Sequence, residues 1–175
     1  CGITAWTILP IVLTAIAAPA RVSRLILVSP AIYNTGGSPS WVSTIAALPQ
    51  VRRIGPLIVR LLVKQLERSL PSAWHDPTKI TTDVLEGYKK PLMVDNWDRA
   101  FWEFSVAGRT AGLDSQVGAI TTPTLVMAGD DDRWVATELS VRLSRDMPNA
   151  TLALIPACGH VPQEECPGPF MQAVS

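Results

Sequence analysis

The chain has 175 residues, 15 basic against 15 acidic side chains and a hydrophobic share of 47%. Those values fit one globular domain of ordinary size. With charges balanced and no basic stripe interleaved with aromatics, they argue against a nucleic-acid partner, and Arg52-Arg53 reads as a solvated helical face.

Residues 1–20 carry no charge and reach the length of a membrane span, with Arg21 and Arg24 behind them. Pro10 interrupts the segment and its alanines and threonines make it only mildly apolar, so a buried helix is the favoured reading and a membrane segment the minority one. Arg24–Pro30 is an apolar run ended by proline, the pattern of a strand buried on both faces. Asn34–Ser40 is a connector rich in turn formers. From Trp41 to about Asp114 the periodicity is helical. Trp41–Leu48 is short and bounded by Pro49, and Ile54–Leu70 is a strong amphipathic helix with Pro56 in its first turn. Thr82 is expected to cap a helix carrying Asp83 and Glu86, and a last helix starts at Asp95–Asp98.

Two short apolar runs follow, Thr124–Ala128 and Thr151–Ile155, each with the length of a buried strand. Between them Val135, Leu139, Leu143 and Met147 recur at helical spacing. Strand, helix, strand predicts two parallel neighbours with a right-handed crossover. Ligands of such sheets bind beyond the carboxyl ends of the strands. The loops at those ends carry Asp130, Asp131 and Asp132 on one side and His160 on the other. A closing helix begins near Pro169.

Gly129-Asp130-Asp131-Asp132-Arg133-Trp134-Val135, followed by Gly159-His160 and Glu165-Cys166-Pro167, resembles the C-terminal third of an α/β-hydrolase of the branch with a helical cap. The resemblance implies the last three parallel strands of that fold with flanking helices. Residues 1–33 and 116–175 would form the core, and 34–115 an inserted helical cap or lid that includes the His75-Asp76-Pro77 pattern. It makes Asp132 the acid and His160 the base of a Ser-Asp-His triad. Asp130 and Asp131 are weaker candidates, and one of them would shape the turn. Trp41, Trp74, Trp134 and Val161 are the candidates for lining a substrate pocket, while His75 reads as a surface or capping histidine. The family register puts the nucleophile near Ala5, yet Ile3–Thr7 is no Gly-x-Ser-x-Gly and that motif occurs nowhere in the sequence. The chain therefore reads as a fragment whose serine lies upstream of Cys1, or as a degenerate hydrolase that binds without catalysis.

The expected substrate is a small, largely apolar ester or related carbonyl compound, with no cofactor and no metal. Cys1, Cys158 and Cys166 lack metal-ligand or Cys-x-x-Cys spacing. Cys158 and Cys166 flank the His160 loop, where a disulfide is conceivable but buried thiols in a reducing cytosol are favoured. That compartment is the expected one. The strand edge at Leu25–Ser29 is expected to invite self-association or pairing with a missing N-terminal half.

Overall fold

The computed structural model describes residues 4–33, 44–110 and 112–175. Trp41 and the connector Asn34–Ser40 lie outside the described residues. The chain divides into two compact units. One takes Gly2–Thr35, Ser72–Pro77 and Gly112–Ser175; the other takes Gly36–Pro71 and Thr78–Ala111. Ser72–Pro77, inside the expected insertion, thus falls with the sheet unit.

The sheet unit opens with α1, Thr4–Ala17, which runs through Pro10. Proline deletes one backbone donor there, and Thr14 Oγ1 donates to the Pro10 carbonyl at 2.7 Å. Ile8, Val12 and Ala15 form one buried stripe, the spacing of a single helical face. The position read as nucleophile, Ala5, lies within this helix. Among the described residues no helix is long and apolar enough to cross a membrane.

Three strands follow: β1 Leu25–Val28, β2 Thr124–Gly129 and β3 Ala150–Ile155. They pair in parallel in the order β1-β2-β3. Leu25 stands opposite Thr124 and Val28 opposite Met127, while Thr124 stands opposite Ala150 and Gly129 opposite Ile155. Helix α5, Thr137–Asp146, connects β2 to β3, as parallel neighbours require. The central strand is buried through Val126, Met127 and Ala128. Burial on both faces was also expected of β1, and there the structure differs: Leu25 and Leu27 turn inward, but Ile26 is 45% exposed. Strand β3 likewise leaves Leu154 exposed. Both are outer strands of the described sheet.

The chain closes with α6, Pro162–Glu165, and α7, Pro167–Val174. Phe170, Ala173 and Val174 of α7 pack with Met127, Ile155, Cys158 and Cys166. Cys158 and Cys166 are joined in a disulfide, where thiols were favoured. The loop folds back so far that their Cα atoms lie 6.3 Å apart, within a disulfide's span.

In the helical unit the elements are α2 Pro49–Ser69, α3 Thr82–Lys89 and α4 Trp97–Thr110. Helix α2 starts at Pro49, five residues earlier than the sequence suggests, because Pro49 itself, not Pro56, opens it. Thr81, not Thr82, caps α3: its side chain accepts the Val84 N–H at 3.3 Å. Helices α2 and α4 meet where Gly55 leaves room for the Trp102 indole. Arg52 pairs with Glu103 and Arg60 with the buried Asp98 along the same seam.

Candidate active site

Two loops at the carboxyl ends of β2 and β3 build the site. They are held together by main-chain bonds before any side chain matters. The Asp130 N–H donates to the Ile155 carbonyl at 3.1 Å, and the Asp131 N–H to the Cys158 carbonyl at 3.0 Å. Gly129 makes this approach possible, since a Cβ there would run into the carbonyl oxygens of Cys158 and Gly159. Gly159 is equally constrained, with a Cβ facing the Ala73 carbonyl and the His75 nitrogen.

Within this frame Asp132 and His160 meet. Asp132 Oδ2 lies 2.9 Å from His160 Nδ1, with side chains 0% and 5% exposed respectively. Asp132 Oδ1 accepts the N–H groups of Trp134 at 2.9 Å and Val135 at 2.8 Å. Three donors therefore surround one carboxylate, as its desolvation demands. An ionised carboxylate only accepts, so the proton between the pair sits on His160 Nδ1. In the neutral ring this leaves the Nε2 lone pair unprotonated and available as a base. Among the described residues nothing bonds Nε2.

The pocket candidates fall into place unequally. Trp134 lies against His160, ring centroids 5.4 Å apart and planes tilted by 36°. Its indole N–H donates to Ser72 Oγ at 2.9 Å. Trp74 is buried, and its indole nitrogen has no partner among the described residues. Val161 is buried beside the histidine, at the start of α6. Asp130 serves the turn: Oδ1 accepts the Cys158 N–H at 3.4 Å.

Asp131 stands on the surface next to the buried Asp132. Its Oδ2 is 2.8 Å from His75 Nδ1 and 2.7 Å from Arg133 Nη2. The hydrogen bond to His75 and then that to Arg133 hold its carboxyl below the ordinary range. His75 is thus a surface histidine, as read, but one paired at the edge of the acid loop. No local pattern announces that pairing, because it depends on Ser72–Pro77 folding onto the β3 loop. The His160 N–H is part of the same docking: it donates to the Ala73 carbonyl, at 2.7 Å.

The ligand atoms of Cys158, Glu165 and Cys166 gather within 4.8 Å of one another. Metals bind thiolates, and both sulfurs are committed to the disulfide. Glu165 is legible in the sequence only as part of a motif.

The profile of the family described as serine aminopeptidase, S33, matches residues 9–166. A 2-hydroxy-6-oxononadienedioate/2-hydroxy-6-oxononatrienedioate hydrolase of Cupriavidus pinatubonensis is 28% identical over 156 residues, 86% of this chain and 52% of that protein. The chain thus spans about half the length of the curated relatives it matches. Among solved structures, the 2-hydroxy-6-oxo-6-phenylhexa-2,4-dienoate hydrolase of a Rhodococcus strain superposes with a TM-score of 0.64 at 18% identity. That match covers 95% of this chain and 58% of the other. A thermophilic esterase from Thermogutta terrifontis gives a TM-score of 0.65 at 21% identity, over 95% of this chain and 59% of the other.

Proposed function

Because the chain belongs to the serine aminopeptidase S33 family of α/β-hydrolases, we propose that Asp132 and His160 are the acid and base of a Ser-Asp-His triad whose serine lies outside these 175 residues. The observation that carries this reading is the 2.9 Å contact between a fully buried Asp132 carboxylate and His160 Nδ1. It fixes the tautomer that a base needs. A serine hydroxyl attacks the substrate carbonyl while His160 Nε2 takes its proton, and Asp132 stabilises the imidazolium that results. The same proton then goes to the leaving group as its bond to the carbonyl carbon breaks. A water deprotonated by His160 in turn attacks the acyl-serine, releasing the acid and returning the proton to the serine. Neither a Gly-x-Ser-x-Gly nucleophile turn nor an oxyanion hole is legible in this sequence. The 175 residues alone are therefore expected to be inactive.

The proposed substrate is a small, largely apolar carbonyl compound: an ester, or a dienoate of the kind named in the relatives. Trp134, Trp74 and Val161 support an apolar wall beside the histidine, and residues 34–115, apart from Ser72–Pro77, are proposed as an inserted helical cap. No cofactor enters this chemistry.

The test is fluorophosphonate labelling of the full-length protein, read by intact mass and peptide mapping, alongside hydrolysis of 4-nitrophenyl acetate. The expected result is one adduct on a serine outside these residues, and a loss of about 10³-fold or more in hydrolysis for His160→Ala. An adduct within these residues would overturn the placement of the serine. Undiminished turnover in His160→Ala would overturn the triad.

A further inference from the structure

Glu165 closes α6 and is 4% exposed. Its Oε2 accepts the Gly159 N–H at 2.7 Å and the His75 N–H at 3.1 Å. Its Oε1 accepts the Asp76 N–H at 2.8 Å. One carboxylate thus bridges two stretches of main chain that are far apart in sequence. One stretch ends in His160, the other contains Trp74. No basic side chain among the described residues pairs with it, so its charge is met by backbone N–H groups alone. Such charge-assisted bonds are the strong ones, and leaving any of the three donors buried and unpaired is costly.

The bridge acts on the histidine through a short path. Gly159 directly precedes His160, and the His160 N–H itself donates to Ala73, two residues before His75. The two stretches are therefore joined at both ends of a single contact: at Ala73 by the histidine's own main chain, at His75 and Asp76 by Glu165. The imidazole is then fixed at its backbone by this contact and at its ring by Asp132. The disulfide closes the loop beneath, from Cys158 to Cys166.

We infer that Glu165 is a positioning residue for His160, and that the same carboxylate sets the segment carrying Trp74 against the base. This rests on the reading of His160 as the base. Loss of the negative charge places a donor where three donors already converge, since glutamine matches the shape but carries an amide NH₂ in place of one oxygen. The two stretches then part and Nε2 drifts from its reacting position. Such a displacement lowers the rate of proton transfer more than it weakens binding.

Two measurements test it. In the unaltered full-length protein, labelled with ¹⁵N and ¹³C, scalar couplings across the hydrogen bonds are expected from the Gly159, His75 and Asp76 amide nitrogens to the Glu165 carboxyl carbon. These three amides should also exchange slowly with solvent. In Glu165→Gln, their exchange should accelerate at least about tenfold, and kcat for 4-nitrophenyl acetate should fall about tenfold to a hundredfold with KM moving less than about threefold. Absent couplings, or unchanged exchange in the variant, would overturn the bridge even if the variant were active. Accelerated exchange with unchanged kcat would overturn the positioning role. Should His160→Ala retain full turnover while the couplings are present, the assignment of the base fails and the bridge stands as structure only.

Discussion

Asp131 and Asp132 are sequence neighbours with opposite surroundings, and their separation explains the chemistry of the loop. Asp132 turns inward, where two main-chain N–H groups and His160 Nδ1 replace its water. Asp131 turns outward and is held by His75 and Arg133. A carboxyl whose folded pKa lies below its unfolded value stabilises the fold above that unfolded value, near 4, and the contribution is lost as the pH falls through the folded pKa. Asp131 is such a group. Asp131→Asn should therefore be less stable than the parent at pH 7, with the difference shrinking as the pH is lowered from 5 to 3. Urea unfolding at each pH reads this directly. A difference that stays constant or widens on acidification would mean that the pairs with His75 and Arg133 contribute nothing through charge. His160→Ala separates the two aspartates functionally, since it strips the partner from Asp132 and leaves the Asp131 cluster in place.

At the level of elements, the site is made by how tightly the β2 and β3 loops approach. Gly129, the last residue of β2, has the carbonyls of Cys158 and Gly159 where a side chain would stand. Backbone cannot give way as a flexible side chain can, so Gly129→Ala should cost about 3 kcal/mol, the upper end of ordinary overpacking. Thermal and urea unfolding of the full chain would register it; a loss below about 1 kcal/mol would show the loops to be looser than the close approach implies. This contact was half legible in the sequence. Apolar runs of strand length flanking Val135–Met147 pointed to the parallel pair β2 and β3, and the residues at their ends pointed to Asp132 and His160. Burial of β1 on both faces was not legible correctly, because an outer strand and a central one share the same apolar pattern. The start of α2 was misplaced since Pro49 and Pro56 are both acceptable opening residues, and only packing against α4 chooses. The docking of Ser72–Pro77 on the histidine loop had no local signal at all. On the Ser72–Pro77 side much of it rests on main-chain groups, the Ala73 carbonyl and the His75 and Asp76 N–H, whose bonding partners no side-chain pattern reveals. Glu165 was visible as a motif for the same reason that its role was not: the sequence displays the carboxylate but not the three N–H groups it accepts.

Across the whole chain, β1 presents the feature with the widest consequence. Among the described residues it pairs on one side only, with β2. Its other edge offers a row of main-chain donors and acceptors beside the exposed Ile26. Such an edge is a template for another strand. The chain spans about half of its curated relatives, and in the reading proposed above the catalytic serine belongs to residues outside it. An added strand on this edge satisfies both requirements, because it extends the sheet and brings further residues to the same carboxyl-end rim. The 175-residue chain, expressed by itself, is therefore expected to self-associate through this edge, which no other strand among the described residues occupies. Sedimentation velocity between about 5 and 100 μM should show a concentration-dependent shift, and Ile26→Lys should reduce it, since edge charges oppose strand pairing. In the full-length protein the same substitution should leave the molecular mass unchanged and lower stability instead. A strictly monomeric 175-residue chain across that range, folded by circular dichroism, would remove the edge as an association site. Self-association that Ile26→Lys leaves intact would move the interface elsewhere, and the exposed leucines of α2, Leu57, Leu61 and Leu62, would be the next surface to charge.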